Sequence, residues 1–187
     1  MKSEMSELTR KLVPVIRPLK AKEEQAAIEA AKTHVAKELS DHYRVLGAEL
    51  RIDKPSDGGK VQRMLGVLIL DYGNRRNFEV LVDGTGRVDR IVDLRGAQPA
   101  YTSEEIKEAR AIAEQDSRVA RIAHTKGSFV SEFGPEHASD NARRIGLRYA
   151  VVEKRQIPRV LAHAIVDMSA RKLVHLEESR AERRSER

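Results

Sequence analysis

The chain has 187 residues, a formal net charge of +6 from 35 Lys and Arg against 29 Asp and Glu, and 40% hydrophobic but only 4% aromatic residues. That length suits one ordinary domain or two small ones, and the scarcity of aromatics makes the core aliphatic. There is no cysteine, which excludes disulfides, thiolate metal sites and thiol nucleophiles, and no apolar run approaches the ~18 to 20 residues needed to span a bilayer.

Residues 1–19 carry charges throughout, with Pro14 and Pro18, and so lack the apolar stretch of a secretory signal. They read as a lead-in whose Leu12, Val13, Val15 and Ile16 pack on the body, and a cytoplasmic protein is expected. Ala21 to Leu39 is rich in strong helix formers and places Ile28, Ala31, Val35 and Leu39 on one face, which predicts a helix. Tyr43 to Ile52 reads as a strand and Asp53 to Gly59 as a Pro- and Gly-containing loop. Met64 to Tyr72 is a nearly continuous apolar run, as in a central strand, and ends in a turn at Gly73-Asn74. Phe78, Val80 and Val82 alternate with exposed positions, Asp83-Gly-Thr-Gly86 supplies turn residues, and Val88 to Leu94 returns as the partner strand.

Gly96 and Pro99 then interrupt the strand pattern. Thr102, three residues before Glu105, reads as a capping box that opens a helix over Ser103 to Gln115. Val119 to Ala123 and Phe129 to Phe133 are short segments, and Gly134 to Asn141 is a polar loop. Arg148 to Glu153 is read as a strand, and Val160 to Val166 pairs with Leu173 to Leu176 around Met168 to Arg171. Helix followed by strands thus occurs twice at a spacing of roughly 80 residues, and the Val82-Asp83 and Val166-Asp167 steps enter similar turns. The expectation is an α+β protein of two tandem units, residues 20–95 and 96–178, each a helix on an antiparallel sheet of about four strands, with a charged tail over 179–187.

Candidate chemistry is sparse. The six histidines form no His-x-His or His-x3-His pair. His163 and His175 fall on neighbouring strands of the last hairpin, nearly opposite each other, where ordinary cross-strand packing is the simpler reading than a shared metal. Glu136, His137 and Asp140 share one polar loop and are read as solvated. Ser128, Ser131 and His124 lack the strand-turn-helix frame that exposes a serine nucleophile. Gly84-Thr85-Gly86 precedes a strand, not a helix, so it is a turn and no phosphate cradle. The doublets Arg75-Arg76, Arg143-Arg144 and Arg183-Arg184 have acids interspersed and few aromatics nearby, so nucleic-acid binding is not expected beyond weak polyanion attraction through a basic surface. No catalytic, cofactor-binding or metal residue is assigned, and a small ligand between helix and sheet stays open.

The run Gly96-Ala-Gln-Pro-Ala-Tyr-Thr-Ser-Glu-Glu-Ile106, continued by Glu108-Ala109 and Asp116-Ser-Arg-Val119, resembles the joint between the two small N-terminal domains, usually called N2 and N3, of copper-containing amine oxidases. Gly86-Arg-Val88, Val166-Asp167 and Arg171-Lys-Leu-Val174 support it, and the similarity spans about Ala21 to Glu178. The resemblance implies two cystatin-like units. It also implies an absence of chemistry, because in that family the quinone forms from a tyrosine in an Asn-Tyr-Asp/Glu motif and three histidines hold copper in a separate large domain. Tyr43, Tyr72, Tyr101 and Tyr149 follow His42, Asp71, Ala100 and Arg148, never asparagine. Inhibitory cystatins insert a Gln-x-Val-x-Gly hairpin into proteases; here Gln62-Arg-Met-Leu-Gly66 has Met64 in place of valine and a turn expected at Pro55 to Gly59, so Gln62 falls inside a strand. The resulting expectation is a non-catalytic module that binds a protein partner or self-associates, with an accessory subunit of a separately encoded amine oxidase or related enzyme as the alternative.

Overall fold

The computed structural model describes residues 17–53, 61–94, 97–134, 141–152 and 157–179. The lead-in over 1–16, the loop over 54–60, the candidate cation loop with Glu136, His137 and Asp140, and the tail with Arg183-Arg184 lie outside the described residues. The chain divides into two compact units, Met1–Ala97 and Gln98–Arg187. Among the described residues there are three helices and two four-stranded antiparallel sheets, an α+β arrangement as the sequence predicts.

The first unit is helix α1 (Ala21–Val35) on strands β1 (Tyr43–Asp53), β2 (Gln62–Asp71), β3 (Arg76–Val82) and β4 (Val88–Asp93), in sheet order β1-β2-β3-β4. The helix begins where the Glu23 carboxylate accepts the Lys20 backbone N–H at 3.1 Å, and Arg17 and Arg63 converge on the same carboxylate. It stops at Val35, four residues before the predicted end, and Leu39 packs from the following turn. Ala27, Ala31 and Val35 form the buried stripe and meet Leu65, Val67, Ile69, Phe78, Val80 and Val82. Two alanines in that stripe let the helix lie close on the sheet, so the packing depends on their small size.

The buried Asp71 closes this unit. It accepts the Ser40 N–H and hydroxyl from the turn after α1, and both the backbone and side-chain N–H of Asn74 in the β2–β3 turn. Burial alone would raise its pKa, but these hydrogen bonds outweigh it and hold the carboxyl below its ordinary value.

The second unit is α2 (Ser103–Ala113) and α3 (Ser117–Ala123) on β5 (Ser128–Phe133), β6 (Arg144–Val151), β7 (Arg159–Asp167) and β8 (Lys172–Glu178), in order β5-β6-β7-β8. The short segment around Val119 is a second helix, capped by the Asp116 carboxylate on Arg118 N–H. Strand β6 begins at Arg144, four residues before the predicted start. Ala109, Ile112, Ala113, Val119 and Ile122 of the helices, with Ile145, Leu147, Tyr149, Ala162, Ala164 and Val166 of the sheet, are all buried.

The capping box is present as read: Glu105 N–H donates to Thr102 Oγ1 at 3.1 Å, and Thr102 N–H to Glu105 Oε2 at 2.9 Å. Glu105 does more than cap. It is 0% exposed and pairs with Arg143, itself 3% exposed, through Nε–Oε1 at 2.9 Å and Nη2–Oε2 at 3.0 Å. The remaining Arg143 donors reach Gln98 Oε1, Pro99 O and Ala100 O at 3.2, 2.7 and 3.2 Å. The guanidinium lies 4.4 Å from the Tyr101 ring centroid. All five N–H groups of Arg143 are therefore satisfied.

The repeat is exact in its packing positions. Leu65-Gly66-Val67 on β2 and Ile145-Gly146-Leu147 on β6 face Val82-Leu81-Val80 and Val166-Ile165-Ala164 respectively. The Val-Asp steps have one physical role: Asp83 accepts Thr85 N–H and Arg87 N–H, and Asp167 accepts Ala170 N–H, so each carboxylate organises its turn.

Three stability outcomes follow. Arg143→Met leaves Glu105 charged in the core and should cost ~3–5 kcal/mol in urea unfolding, with Arg143→Lys restoring only part because an ammonium cannot span the same acceptors. The Tyr149 hydroxyl is buried without a hydrogen-bond partner, and burial, with the Glu114 charge nearby, pushes its pKa to about 12; Tyr149→Phe should be neutral or stabilising by up to ~1 kcal/mol in the same assay. Hydrogen bonds from Arg118 hold Asp116 at about 2, and those from Arg17 and the Lys20 backbone hold Glu23 at about 2. Both folded pKa values are depressed, so the stability they contribute is complete above their ordinary values of 3.8 and 4.5 and is lost as pH falls toward 2. Carboxyl titration by NMR, with Asp116→Asn and Glu23→Gln flattening the acid limb of the unfolding profile, checks this.

Candidate interaction face

The residues flagged from sequence as possible chemistry are dispersed by the fold. His34 is exposed in the last turn of α1, His42 stacks on Tyr72 at 4.7 Å, and the His124 ring donates to Ala120 O at 2.6 Å. His163 faces Glu177, and His175 faces Ile165, so the two histidines are diagonal and not directly opposite. The cause is a bulge in β8, where Val174 is the extra residue. Among the described residues no three His, Asp or Glu side chains converge in a way that would hold a metal ion.

In the described doublets, Arg76, Arg143 and Arg144 have structural partners. Arg143 is buried as described, Arg144 approaches Asp167 at 4.0 Å, and Arg76 approaches Glu38 at 3.7 Å and lies over the Phe78 ring. Gln62 opens β2 and is inside a strand, as read. The turn at Gly84 to Gly86 is organised by Asp83, with Gly86 at φ +85°.

Grooves do lie between helix and sheet. One of about 440 Å³ in the second unit runs between α2–α3 and β8, and one of about 340 Å³ in the first lies between the start of α1 and the β3–β4 turn. Their arginines are already committed: Arg118 to Asp116, Arg171 to Glu108, and Arg17 and Arg63 to Glu23. The arginines of both grooves are therefore already charge-paired, and Lys172 is the exposed cation on the wall of the larger one.

The outer face of the second sheet differs. Cross-strand register places Phe129, Ser131 and Phe133 of β5 beside Ala150, Arg148 and Gly146 of β6, with His163 and Ile165 of β7 and His175 and Glu177 of β8 beyond. Phe133 lies over Gly146, where an added Cβ would come within 2.5 Å of the ring. The Arg148 guanidinium is 5.8 Å from the Phe133 ring, which in turn meets His163 edge-on at 5.5 Å. Arg148 Nε donates to His163 Nε2 at 3.4 Å, and among the described residues it has no carboxylate partner. Phe129 is 40% exposed. A desolvatable pair of aromatics beside an unpaired arginine is the composition that dominates binding energy at protein interfaces.

The matching face of the first sheet supplies the comparison. Arg51 bridges Glu49 and Glu79, and Arg90 pairs with Asp53 and Asp89. The Arg51 stem and the Glu79 carboxylate cross above Gly66, close enough that an added Cβ would meet both. These stems shield Met64 and Leu81, so that face is neutralised and covered by its own side chains. Sequence reading could have found Phe129 and Phe133 by their spacing of two around Ser131. It missed Gly146 as the floor under Phe133 because the strand was read from Arg148, two residues past it.

No family model matches this sequence, and no curated protein matches it. Among solved structures, 27 chains match. One is a copper-containing benzylamine oxidase from Hansenula polymorpha, with a TM-score of 0.62 and 11% identity over 88% of this chain. This chain spans 30% of that oxidase chain. At that identity the likeness is one of fold: part of a copper amine oxidase shares this architecture.

Gly146→Ala should cost ~1–3 kcal/mol and drive the Phe133 ring off the face, whereas Gly66→Ala should cost less because the end of a flexible glutamate stands in its way. Urea unfolding of both variants, with the Phe133 ring resonances followed by NMR, measures the difference.

Proposed function

We propose that this chain is a non-catalytic interaction module, built like the cystatin-like N2 and N3 domains of copper amine oxidases, that engages a protein partner or a second copy through the outer face of its second sheet. The observation that supports this most directly is Arg148, without a carboxylate partner among the described residues, beside Phe129 and Phe133, on a repeat whose sister face pairs Arg51 and Arg90 with carboxylates. Two units of the same fold carry the same structural demands, so stability does not require the second face to keep open aromatics and an unmatched cation.

A second reading, an accessory subunit docked on a separately encoded amine oxidase, draws support from the fold likeness to one part of such an enzyme. The two are separated by affinity purification from the source organism with mass spectrometry, comparing the native chain with a Phe129→Lys, Arg148→Glu variant. The module reading expects a near-stoichiometric protein, or a second copy, that the variant loses; the accessory reading expects that protein to be an amine oxidase. Equal recovery with both baits rejects the face.

Catalysis is not part of the proposal, because no tyrosine here follows asparagine and no His-x-His pair occurs. Purified protein loaded with copper should release no hydrogen peroxide from amines, benzylamine included, and develop no quinone absorption band. Either signal overturns the non-catalytic assignment.

A further inference from the structure

Strand edges offer unpaired backbone groups, and proteins blunt them with bulges, charges or proline. The two sheets have four edge strands, β1, β4, β5 and β8. Three are bulged, at Leu46 in β1, Asp89 in β4 and Val174 in β8, and each carries several charges. Strand β5, Ser-Phe-Val-Ser-Glu-Phe, pairs with β6 in unbroken register, contains no proline or basic residue, and has Glu132 as its one charge. Among the described residues nothing pairs with its outer edge.

We infer that the outer edge of β5 seats a second copy of this chain, the two β5 strands pairing antiparallel about a two-fold axis at Ser131. This rests on the interaction-module reading and names its occupant. The register follows from side-chain alternation, because residues directly opposite must share a face. Centring on Ser131 sets Phe129 against Phe133 of the second copy, twice, on the outer face, and Val130 against Glu132 on the helix face. Centring on Val130 leaves Phe133 unmatched, and centring on Glu132 puts like charges directly opposite. Only the Ser131 register joins both aromatic pairs, and it places the smallest side chain of the outer row on the axis. The four rings then form one row flanked by Arg148 from each copy. The two Glu132 carboxylates sit diagonally at ~7–8 Å, and each chain carries +6, so added salt should tighten the dimer by screening.

A pair of six-residue strands is a small interface, near or below the ~1,200 Å² of weak complexes, so a dissociation constant on the order of 10–100 µM is expected. Sedimentation equilibrium of the full chain from about 1 to about 300 µM spans that range. The expected result is a monomer–dimer equilibrium weakened at least ~10-fold by Phe129→Lys, whose wild-type-like melting curve shows that the exposed position leaves the fold intact. Since the chain has no cysteine, Ser131→Cys introduces a single thiol, which lies ~4.5–5.5 Å in Cα distance from its mate across the axis. Mild oxidation should link it into a covalent dimer, while Val174→Cys on the β8 edge stays monomeric. A native chain that remains monomeric at every concentration, a dimer indifferent to Phe129→Lys, or linking that is as fast at Val174 overturns the inference. If the chain is monomeric but Phe129→Lys still strips a captured host protein, the module reading stands and only the occupant is wrong; if capture is unchanged as well, both fail.

Discussion

A guanidinium taken out of water is tolerable only when every N–H finds an acceptor and its charge finds an opposite one, and Arg143 imposes that condition on the second unit. Its demands determine the path of the chain from Gln98 to Glu105. Gln98 gives a side-chain oxygen, Pro99 and Ala100 give carbonyls, Tyr101 gives a ring face and a hydroxyl that reaches back to Arg144 O, and Glu105 gives the counter-charge. The same glutamate closes the capping box on Thr102, so the start of α2 and the start of β6 are fixed by one carboxylate. The run that most resembles an amine oxidase joint is thus a cradle for one arginine, and its specificity of sequence is structural. The first unit solves a related problem at the other end of its helix, where buried Asp71 ties the exit of α1 to the β2–β3 turn.

What the sequence shows of this fold is what local rules control. Thr102 and Glu105 announce the second helix because capping is a matter of three residues, and the alternation Phe78, Val80, Val82 announces a half-buried strand because the period of two needs no tertiary knowledge. Failures come where a long-range contact overrides the local signal. Gly146 falls outside the strand read from Arg148, yet it lies within β6 as a vacancy for the Phe133 ring. Arg143 beside Arg144 looks like an exposed basic doublet, since arginine is rarely buried, and only the fold brings Glu105 within reach. The bulge at Val174 that sets His163 and His175 on a diagonal depends on hairpin geometry, which residue types do not specify.

The two repeats agree on the faces that meet their helices and part on the faces that do not. Apolar residues toward α1 and toward α2–α3 occupy matching register positions, as burial requires. On the outer faces the glycine on the central strand is kept, but what crosses it changes from an arginine–glutamate pair over Gly66 to a phenylalanine ring over Gly146. An ion-paired cover shields its apolar floor and offers little to a partner, because breaking each pair would cost what a new contact returns. An aromatic cover with a lone arginine has its best contacts still to make.

Edge chemistry leads to the same place by an independent route. A flat, weakly charged edge carries a standing risk of indiscriminate strand pairing, and the bulges in β1, β4 and β8 remove that risk at three of four edges. The fourth edge borders the aromatic face. If β5 had to be left regular only to hold Phe133 over Gly146, its exposed positions, Phe129 and Glu132, would be free to carry lysine, yet Phe129 is 40% exposed and aromatic. Open edge and open face coincide on one strand, and a strand that pairs with a partner gains from both.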